Sequence, residues 1–169
     1  HYVRAYATVD YGARKADKSI QKMGYVLHCF SCFHREKVSG IASPLKCVCP
    51  SCGSKLSVAG PLWLGSIEDK RFCSMMEREA KQRGLKQEKK ILKMLSLVQN
   101  EAEAPVTYYR VDKVCDKLNL PIPGLKKVID KLRKAGFQVV PTQFNSRGIK
   151  TDAPADTVKE FIAELAPKK

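Results

Sequence analysis

The fold of this chain depends on two short motifs, Cys29-Phe30-Ser31-Cys32 and Cys49-Pro50-Ser51-Cys52-Gly53, with sixteen residues between them. Two cysteine pairs at this separation can surround one zinc ion tetrahedrally. Gly53 can adopt the positive φ that the turn after the second pair needs. The motifs therefore predict a structural zinc site with Cys29, Cys32, Cys49 and Cys52 as ligands. Four sulfurs leave no open position for a substrate, so the zinc is expected to hold the fold and to perform no chemistry.

Cys47 extends the second motif to three sulfurs, and the two-residue spacer favours Cys49 and Cys52 over it. A role for Cys47 as a substitute ligand stays open. Two disulfides in a secreted domain are the alternative, which fits poorly with an odd number of cysteines and with the lack of an apolar signal segment. Ordinary surface or packing roles are expected for the remaining candidates, His28, His34, Cys73 and Cys115.

The charge of the chain points to a polyanionic partner. Its 169 residues include 31 Lys and Arg against 17 Asp and Glu, a formal net charge of +14. A lysine-rich surface can also serve solubility or a hot habitat, but thermophilic surfaces usually raise Glu together with Lys. A membrane surface is the weaker candidate because no helix pairs a basic face with a Trp and Phe face. We therefore expect nucleic acid as the partner.

The hydropathy and the opening residues of the chain predict its cellular location and whether it is part of a longer protein. No stretch approaches the roughly twenty apolar residues of a membrane span, and no targeting peptide is recognisable, so a soluble cytoplasmic protein without membrane contact is expected. The chain opens with His1 and enters an alternating pattern over residues 2–9 that predicts a strand. This opening indicates a piece of a longer protein.

The order of elements predicts an α+β fold with two modules. Residues 1–66 are expected to form a strand and a zinc-ribbon-like β module, with a loop over 15–22, strands over 24–28, 37–41 and 45–48, and a lead-out over 57–65. Residues 67–169 are expected to form a helical, winged-helix-like module that binds RNA.

The second module begins with a helix that Ser66 is expected to cap and Gly84 to end, with a buried stripe of Phe72, Met75, Met76 and Ala80. A second helix starts near Gln87. Helices over 109–118 and 125–135 flank a tight turn, which is typical of a helix-turn-helix. Segments 137–141 and 148–151 are expected to pair as a hairpin, the wing, and a short helix closes the chain.

A track of basic side chains follows the last helix of the helix-turn-helix and the hairpin. A solvated lysine face is the competing interpretation for any one of them. No Gly-rich nucleotide-binding turn and no catalytic constellation is recognisable, so we assign no catalytic residue. The expected phosphate contacts are Lys126, Lys127, Lys131, Arg133, Lys134, Arg147 and Lys150.

Three strings carry a family resemblance. They are the opening residues 1–4, the string Gly60-Pro61-Leu62-Trp63-Leu64-Gly65, and the string Gly148-Ile149-Lys150-Thr151-Asp152-Ala153-Pro154. In this order, and together with the cysteine quartet, they resemble the carboxy-terminal half of the tRNA guanine-N2 dimethyltransferases that act on guanosine 26. The resemblance covers essentially the whole chain.

The resemblance implies a tRNA-binding part of an enzyme that mono- or dimethylates guanosine 26. In that family an amino-terminal Rossmann-like domain binds S-adenosylmethionine and carries the acidic catalytic motif, and that domain is the expected partner within the same protein. This chain alone is then expected to bind tRNA weakly and to lack methyltransferase activity.

The residues alone leave open two interpretations from other functional classes. A zinc ribbon beside a winged helix also describes noncatalytic DNA-binding proteins and transcription factors. A ribosome-associated or protein-interaction zinc module would make the charge incidental.

Overall fold

A computed structural model describes residues 6–167 of the chain, and these fall into two compact units. The first comprises the described residues up to Cys29 together with Arg35–Gly65. The second comprises Phe30–His34 and the described residues from Ser66 onward. Each unit contains a sheet and at least one helix, so the mixed α+β class is confirmed. Within residues 6–167, no helix is both long and apolar enough to cross a membrane.

The first unit is built on a three-stranded antiparallel sheet of order β2-β1-β3. The strand predicted over 24–28 is present. The strand predicted over 37–41 lies two residues earlier, at Arg35–Ser39. The segment 45–48, predicted as a strand, forms only a single β-bridge, between Val48 and Lys55. Residues 6–9 form no strand, and the rest of the predicted opening strand lies outside the described residues. The elements are α1 (Ala13–Ile20), β1 (Met23–His28), β2 (Arg35–Ser39) and β3 (Ser57–Trp63).

The loop predicted over 15–22 is wrong, because α1 occupies most of it. The segment contains Ala13, Ala16 and several Lys and Arg residues, all good helix formers, and it has no buried residue. Only Ala13, Ala16 and Ile20 lie at helical spacing in this short, strongly charged segment, and they form too small an apolar stripe to mark a helix in the sequence.

The second unit contains five helices and a second three-stranded antiparallel sheet of order β4-β6-β5 among its described residues. The helix pair 111–118 and 125–134 confirms the predicted order, and the hairpin is present with a shorter turn than expected. The elements are α2 (Lys70–Gln82), α3 (Glu88–Glu101), β4 (Tyr109–Arg110), α4 (Val111–Leu118), α5 (Leu125–Lys134), β5 (Val139–Thr142), β6 (Asn145–Thr151) and α6 (Ala155–Leu165).

One apolar cluster holds α4, α5, α6 and the second sheet together. Each helix contributes residues at helical spacing, and each strand contributes one residue. Leu132, Ile149 and Ile162 are fully buried in this cluster. Its other members include Tyr109, Val111, Val114, Cys115, Val128, Ile129, Val139, Ala153, Ala155 and Val158.

The first helix of the second unit differs from its prediction at both its cap and its buried face. Asp69, not Ser66, caps α2, because its carboxylate accepts a hydrogen bond from the Phe72 N–H at 2.9 Å. Cys73 and Ala80 are the buried residues of α2. The predicted stripe is wrong for three of its four members, Phe72, Met75 and Met76, which are exposed. α2 packs against α3, and apolar periodicity alone does not predict which face of α2 this contact buries.

Candidate metal centre and nucleic-acid interface

The four cysteines predicted as ligands converge on one point. The Sγ atoms of Cys29, Cys32, Cys49 and Cys52 all lie within 4.8 Å of one another, and those of Cys29 and Cys52 are 3.5 Å apart. A tetrahedral zinc ion with Zn–S bonds of about 2.3 Å requires sulfurs roughly 3.8 Å apart. No disulfide joins any of the seven cysteines, all of which lie in the described part of the chain. The donor set and its spacing therefore fit zinc.

Backbone hydrogen bonds shape the second cysteine motif. The Cys49 N–H donates to the Ser54 carbonyl at 2.8 Å, and the Gly53 N–H donates to the Cys49 carbonyl at 2.9 Å. Gly53 has a φ of 71°, the left-handed conformation predicted for it. This turn aims the Cys49 and Cys52 side chains at the same point.

The first motif repeats this conformation with a different residue. Phe33 follows the second cysteine of its pair, as Gly53 does, and has a φ of 65°. The left-handed region costs a residue with a Cβ roughly 1–2 kcal/mol. Phe33 packs against the apolar cluster of the second unit, to which residues 30–34 belong, and this burial offsets the cost.

The remaining cysteines and histidines stay outside the four-sulfur group. Cys47 is exposed, and its carbonyl accepts a hydrogen bond from the Leu56 N–H at 2.8 Å. His28 and His34 are half-buried beside the first motif. Burial raises the pKa of the Cys73 and Cys115 thiols, so both stay protonated at neutral pH and suit packing.

Helix α5 presents a basic face opposite its buried one. Val128, Ile129 and Leu132 point into the apolar cluster. Five of its ten residues are Lys or Arg and only Asp130 is acidic. Of the predicted phosphate contacts, the structure leaves five exposed: Lys126, Lys127, Arg133 and Lys134 on α5, and Arg147 on β6.

Two of the predicted contacts form ion pairs inside the protein, and a third, Arg133, donates from Nη2 to the Val139 carbonyl at 3.2 Å. Lys131 is half-buried, pairs with Glu164 and lies over the Phe161 ring, with Nζ 4.9 Å from its centroid. Lys150 is buried, with only 5% of its side chain exposed, and its Nζ is 2.9 Å from Glu101 Oε2. Lys150 is therefore not a surface contact, and its assignment to the phosphate track is corrected. A lysine enters a core only with a charged partner, and that partner lies 49 positions away in sequence.

Glu101 is not among the residues that the sequence analysis identified. It is fully buried at the end of α3 and accepts hydrogen bonds from Thr142 Oγ1 at 3.1 Å and from the Gln143 N–H. Together with Lys150, these groups form a buried polar network that ties the β5–β6 turn to α3. No sequence signal marks it, because each of its members is ordinary for a surface loop.

The string from Gly148 to Pro154 is architectural in this structure. A Cβ on Gly148 would lie 2.5 Å from Thr142 Cγ2 and 3.0 Å from the Tyr108 ring, so only glycine fits. Ile149 is fully buried, and Lys150 belongs to the buried network. Thr151 Oγ1 accepts from the Ala153 N–H at 3.2 Å, which leads the chain into α6.

Comparison with known proteins assigns the chain to a family. The family model described as N2,N2-dimethylguanosine tRNA methyltransferase matches residues 1–163. The chain belongs to this family. A member from Methanothermobacter thermautotrophicus, a tRNA (guanine(26)-N(2))-dimethyltransferase, is 44% identical over 168 residues, which cover 99% of this chain and 44% of the relative.

Two further comparisons agree with this family. A relative from Aquifex aeolicus, a tRNA (guanine(26)-N(2)/guanine(27)-N(2))-dimethyltransferase, is 32% identical over 98% of this chain and 41% of its own length. The complex structure of Trm1 from Pyrococcus horikoshii with S-adenosyl-L-methionine superposes with a TM-score of 0.75 at 29% identity, covering 89% of this chain and 38% of that one. The chain thus spans less than half the length of these family members.

Proposed function

We propose that this chain is the tRNA-binding portion of an S-adenosylmethionine-dependent tRNA (guanine-N2) methyltransferase that mono- or dimethylates guanosine 26. The match of nearly the whole chain, at 44% identity, to a protein of that description carries the proposal. The formal charge of +14 and the basic face of α5 supply the attraction for a polyanion.

Within this proposal residues 1–66 form a zinc-ribbon-like module. The convergence of four cysteine sulfurs supports zinc, which would be held by Cys29, Cys32, Cys49 and Cys52 as thiolates. The bound ion would supply structural cross-linking, since the four sulfurs fill its coordination shell. The chain's own contribution is the pair of left-handed turns that aim the sulfurs inward.

The second unit is proposed as a winged-helix-like module. Helices α4 and α5 are joined by a short turn in which Asn119 has a φ of 54°, and β5 and β6 form the wing beside them. The proposed phosphate contacts are the five exposed residues of the track: Lys126, Lys127, Arg133, Lys134 and Arg147. A-form RNA is read mainly through its backbone and shape, so this track would position tRNA without reading its sequence.

Methyl transfer is assigned to the remainder of the full-length protein. S-adenosylmethionine supplies the methyl group, and the exocyclic amine of guanine accepts it. That amine is a poor nucleophile, so an acidic group must orient it and take its proton. The part played by the residues of this chain is to hold the tRNA so that the target guanine reaches that site.

The proposal is tested by competition between unmodified tRNA and duplex DNA of similar charge for this chain, across a salt series. We expect tRNA to be preferred and the preference to survive moderate salt, because shape recognition is less sensitive to salt than simple charge neutralisation. A preference for DNA would instead support the DNA-binding interpretation and overturn the proposal.

A matched pair of double variants tests the track itself. Lys126→Ala with Lys127→Ala should weaken tRNA binding and lower the magnitude of the salt slope by about two, because each lysine is expected to neutralise one phosphate. Arg14→Ala with Lys18→Ala removes the same charge from α1, which has no buried residue. Equally weakened binding in the two double variants would show that net charge alone, and not α5, determines affinity.

The isolated chain is predicted to be inactive in methyl transfer. Incubation with unmodified tRNA and labelled S-adenosylmethionine should leave the tRNA unlabelled, because we assign the donor site to the remainder of the full-length protein. A full-length family member serves as the positive control. Detectable label with the isolated chain would contradict the assignment of chemistry to the rest of the protein.

A further inference from the structure

The β5–β6 turn of the second unit displays an aromatic ring to solvent. Phe144 lies in this turn with 57% of its surface exposed. Its ring is nearly parallel to that of Tyr108, with an interplanar angle of 14° and centroids 6.2 Å apart. The Nζ of the buried Lys150 lies 5.7 Å from the Phe144 centroid. Although these two neighbours contact it, more than half of the phenylalanine faces solvent.

The surrounding contacts hold this turn in place. The carboxylate of Glu101 accepts the Gln143 N–H on one side of Phe144, and Thr142 Oγ1 accepts the Phe144 N–H at 3.3 Å. On the other side, the Arg147 N–H donates to Asn145 Oδ1 at 2.8 Å. A turn stabilised by polar contacts on both sides does not need an aromatic residue at its tip. The exposure of Phe144 is thus built into the fold, and a fixed ring loses little entropy when a ligand stacks on it.

The charges near the turn favour an anionic partner. Arg147 is exposed and forms no ion pair within residues 6–167. Arg110, whose strand pairs with β6 at Gly148, is already bound to Asp112, and this guanidinium lowers the pKa of the Asp112 carboxyl. An apolar protein partner would gain from the aromatic ring but not from a neighbouring unneutralised arginine. A nucleotide has both a flat base and an adjacent phosphate, and it suits both groups.

We propose that Phe144, supported by Tyr108, is a stacking site for an unpaired nucleobase of the bound RNA, with Arg147 contacting a neighbouring phosphate. The inference rests on the proposed tRNA-binding function and adds a base contact to a track otherwise made of phosphate contacts. Bases within an A-form duplex are stacked on one another, so the ligand is a nucleotide in a loop, at a bulge or at an end. Stacking tolerates any base, and the site therefore recognises an unpaired state rather than a sequence.

The test measures binding of unmodified tRNA to Phe144→Ala, Phe144→Leu and Phe144→Trp variants of this chain. Phe72→Ala is the matched control, because Phe72 is also a phenylalanine of the second unit and is 58% exposed. We expect Phe144→Ala and Phe144→Leu to weaken binding about 5- to 150-fold with an unchanged salt slope, as loss of one stacked base implies. Phe144→Trp should retain affinity, and fluorescence of the new tryptophan should be quenched by tRNA.

The outcomes separate this inference from the function on which it rests. If the parent chain prefers tRNA and Phe144→Ala binds as well as Phe72→Ala, the stacking site is refuted and the proposed function stands. Wild-type affinity in Phe144→Leu would likewise refute it, because leucine is apolar but cannot stack. If the parent chain shows no preference for tRNA over duplex DNA, the proposed function fails, and the stacking site fails with it.

Discussion

Replacing Cys49 by serine is expected to abolish zinc binding and to unfold the first unit. Cys49 is almost fully buried among the four sulfurs, and serine offers no thiolate ligand. The first unit has few other buried apolar side chains among its described residues, chiefly Leu27, Leu56 and Leu64, so we expect the proposed zinc to supply much of its stability. Binding of zinc by four thiolates contributes on the order of 10–16 kcal/mol in small domains, far more than such a core provides.

The measurement is zinc content together with thermal unfolding followed by the fluorescence of Trp63, the only tryptophan, which lies in β3. The parent chain should contain one zinc per molecule, and Cys49→Ser none, with the Trp63 transition abolished. Cys47→Ser is the control, since Cys47 is exposed two residues away and lies outside the four-sulfur group. Equal zinc loss from Cys47→Ser would show that the ligand set is wrong.

The cysteine site could be anticipated from sequence because its signal is local. Each pair forms one turn whose geometry is set by adjacent residues, and the spacing between the pairs suffices to let them meet. Phe33 is the exception. A phenylalanine in the left-handed conformation is not predictable from propensity, because its cost is offset by packing against residues distant in sequence.

The second unit shows where the sequence signal ends. Helices α4 and α5 have apolar residues at helical spacing and a clear turn between them, and their prediction is confirmed. In α2 the apolar residues Phe72, Met75 and Met76 are exposed, while Cys73 and Ala80 are buried. Which face of a helix is covered depends on where its neighbour packs, and the sequence of α2 alone does not contain that information.

Lysines show the same limit within the proposed interface. Lys126 and Lys150 each directly follow an apolar residue, Leu125 and Ile149, and neither of these local contexts marks a buried lysine. Lys126 is exposed on α5, whereas Lys150 points inward from the middle strand of a sheet and meets Glu101. The distinction requires knowledge of the strand register and of a partner carboxylate 49 positions away. The exposure of Lys126 could thus be predicted from the sequence, whereas the burial of Lys150 against Glu101 could not.

The second large effect is expected from Glu101→Gln, which should destabilise the second unit by about 3–5 kcal/mol, the usual cost of removing one member of a buried ion pair. The amide keeps the shape of the carboxylate and can still accept the Gln143 N–H. The Lys150 ammonium, however, would stay buried with no counter-charge. Amide hydrogen exchange in α5 and β6 measures the effect, because the slowest amides of this unit report its full opening free energy.

Glu103→Gln is the control, because Glu103 pairs with Lys70 on the surface only two residues along the chain. Lys70 lowers the pKa of Glu103, but the side chain is largely exposed, so its substitution should leave exchange in α5 and β6 unchanged. The double variant Glu101→Leu with Lys150→Met removes both buried charges and should be more stable than Glu101→Gln, since the cost lies in the unpaired ammonium and not in the loss of attraction. If Glu101→Gln exchanges no faster than Glu103→Gln, the Glu101–Lys150 pair does not stabilise the unit. The hairpin turn that carries Phe144 must then be held by its backbone and by Thr142 alone.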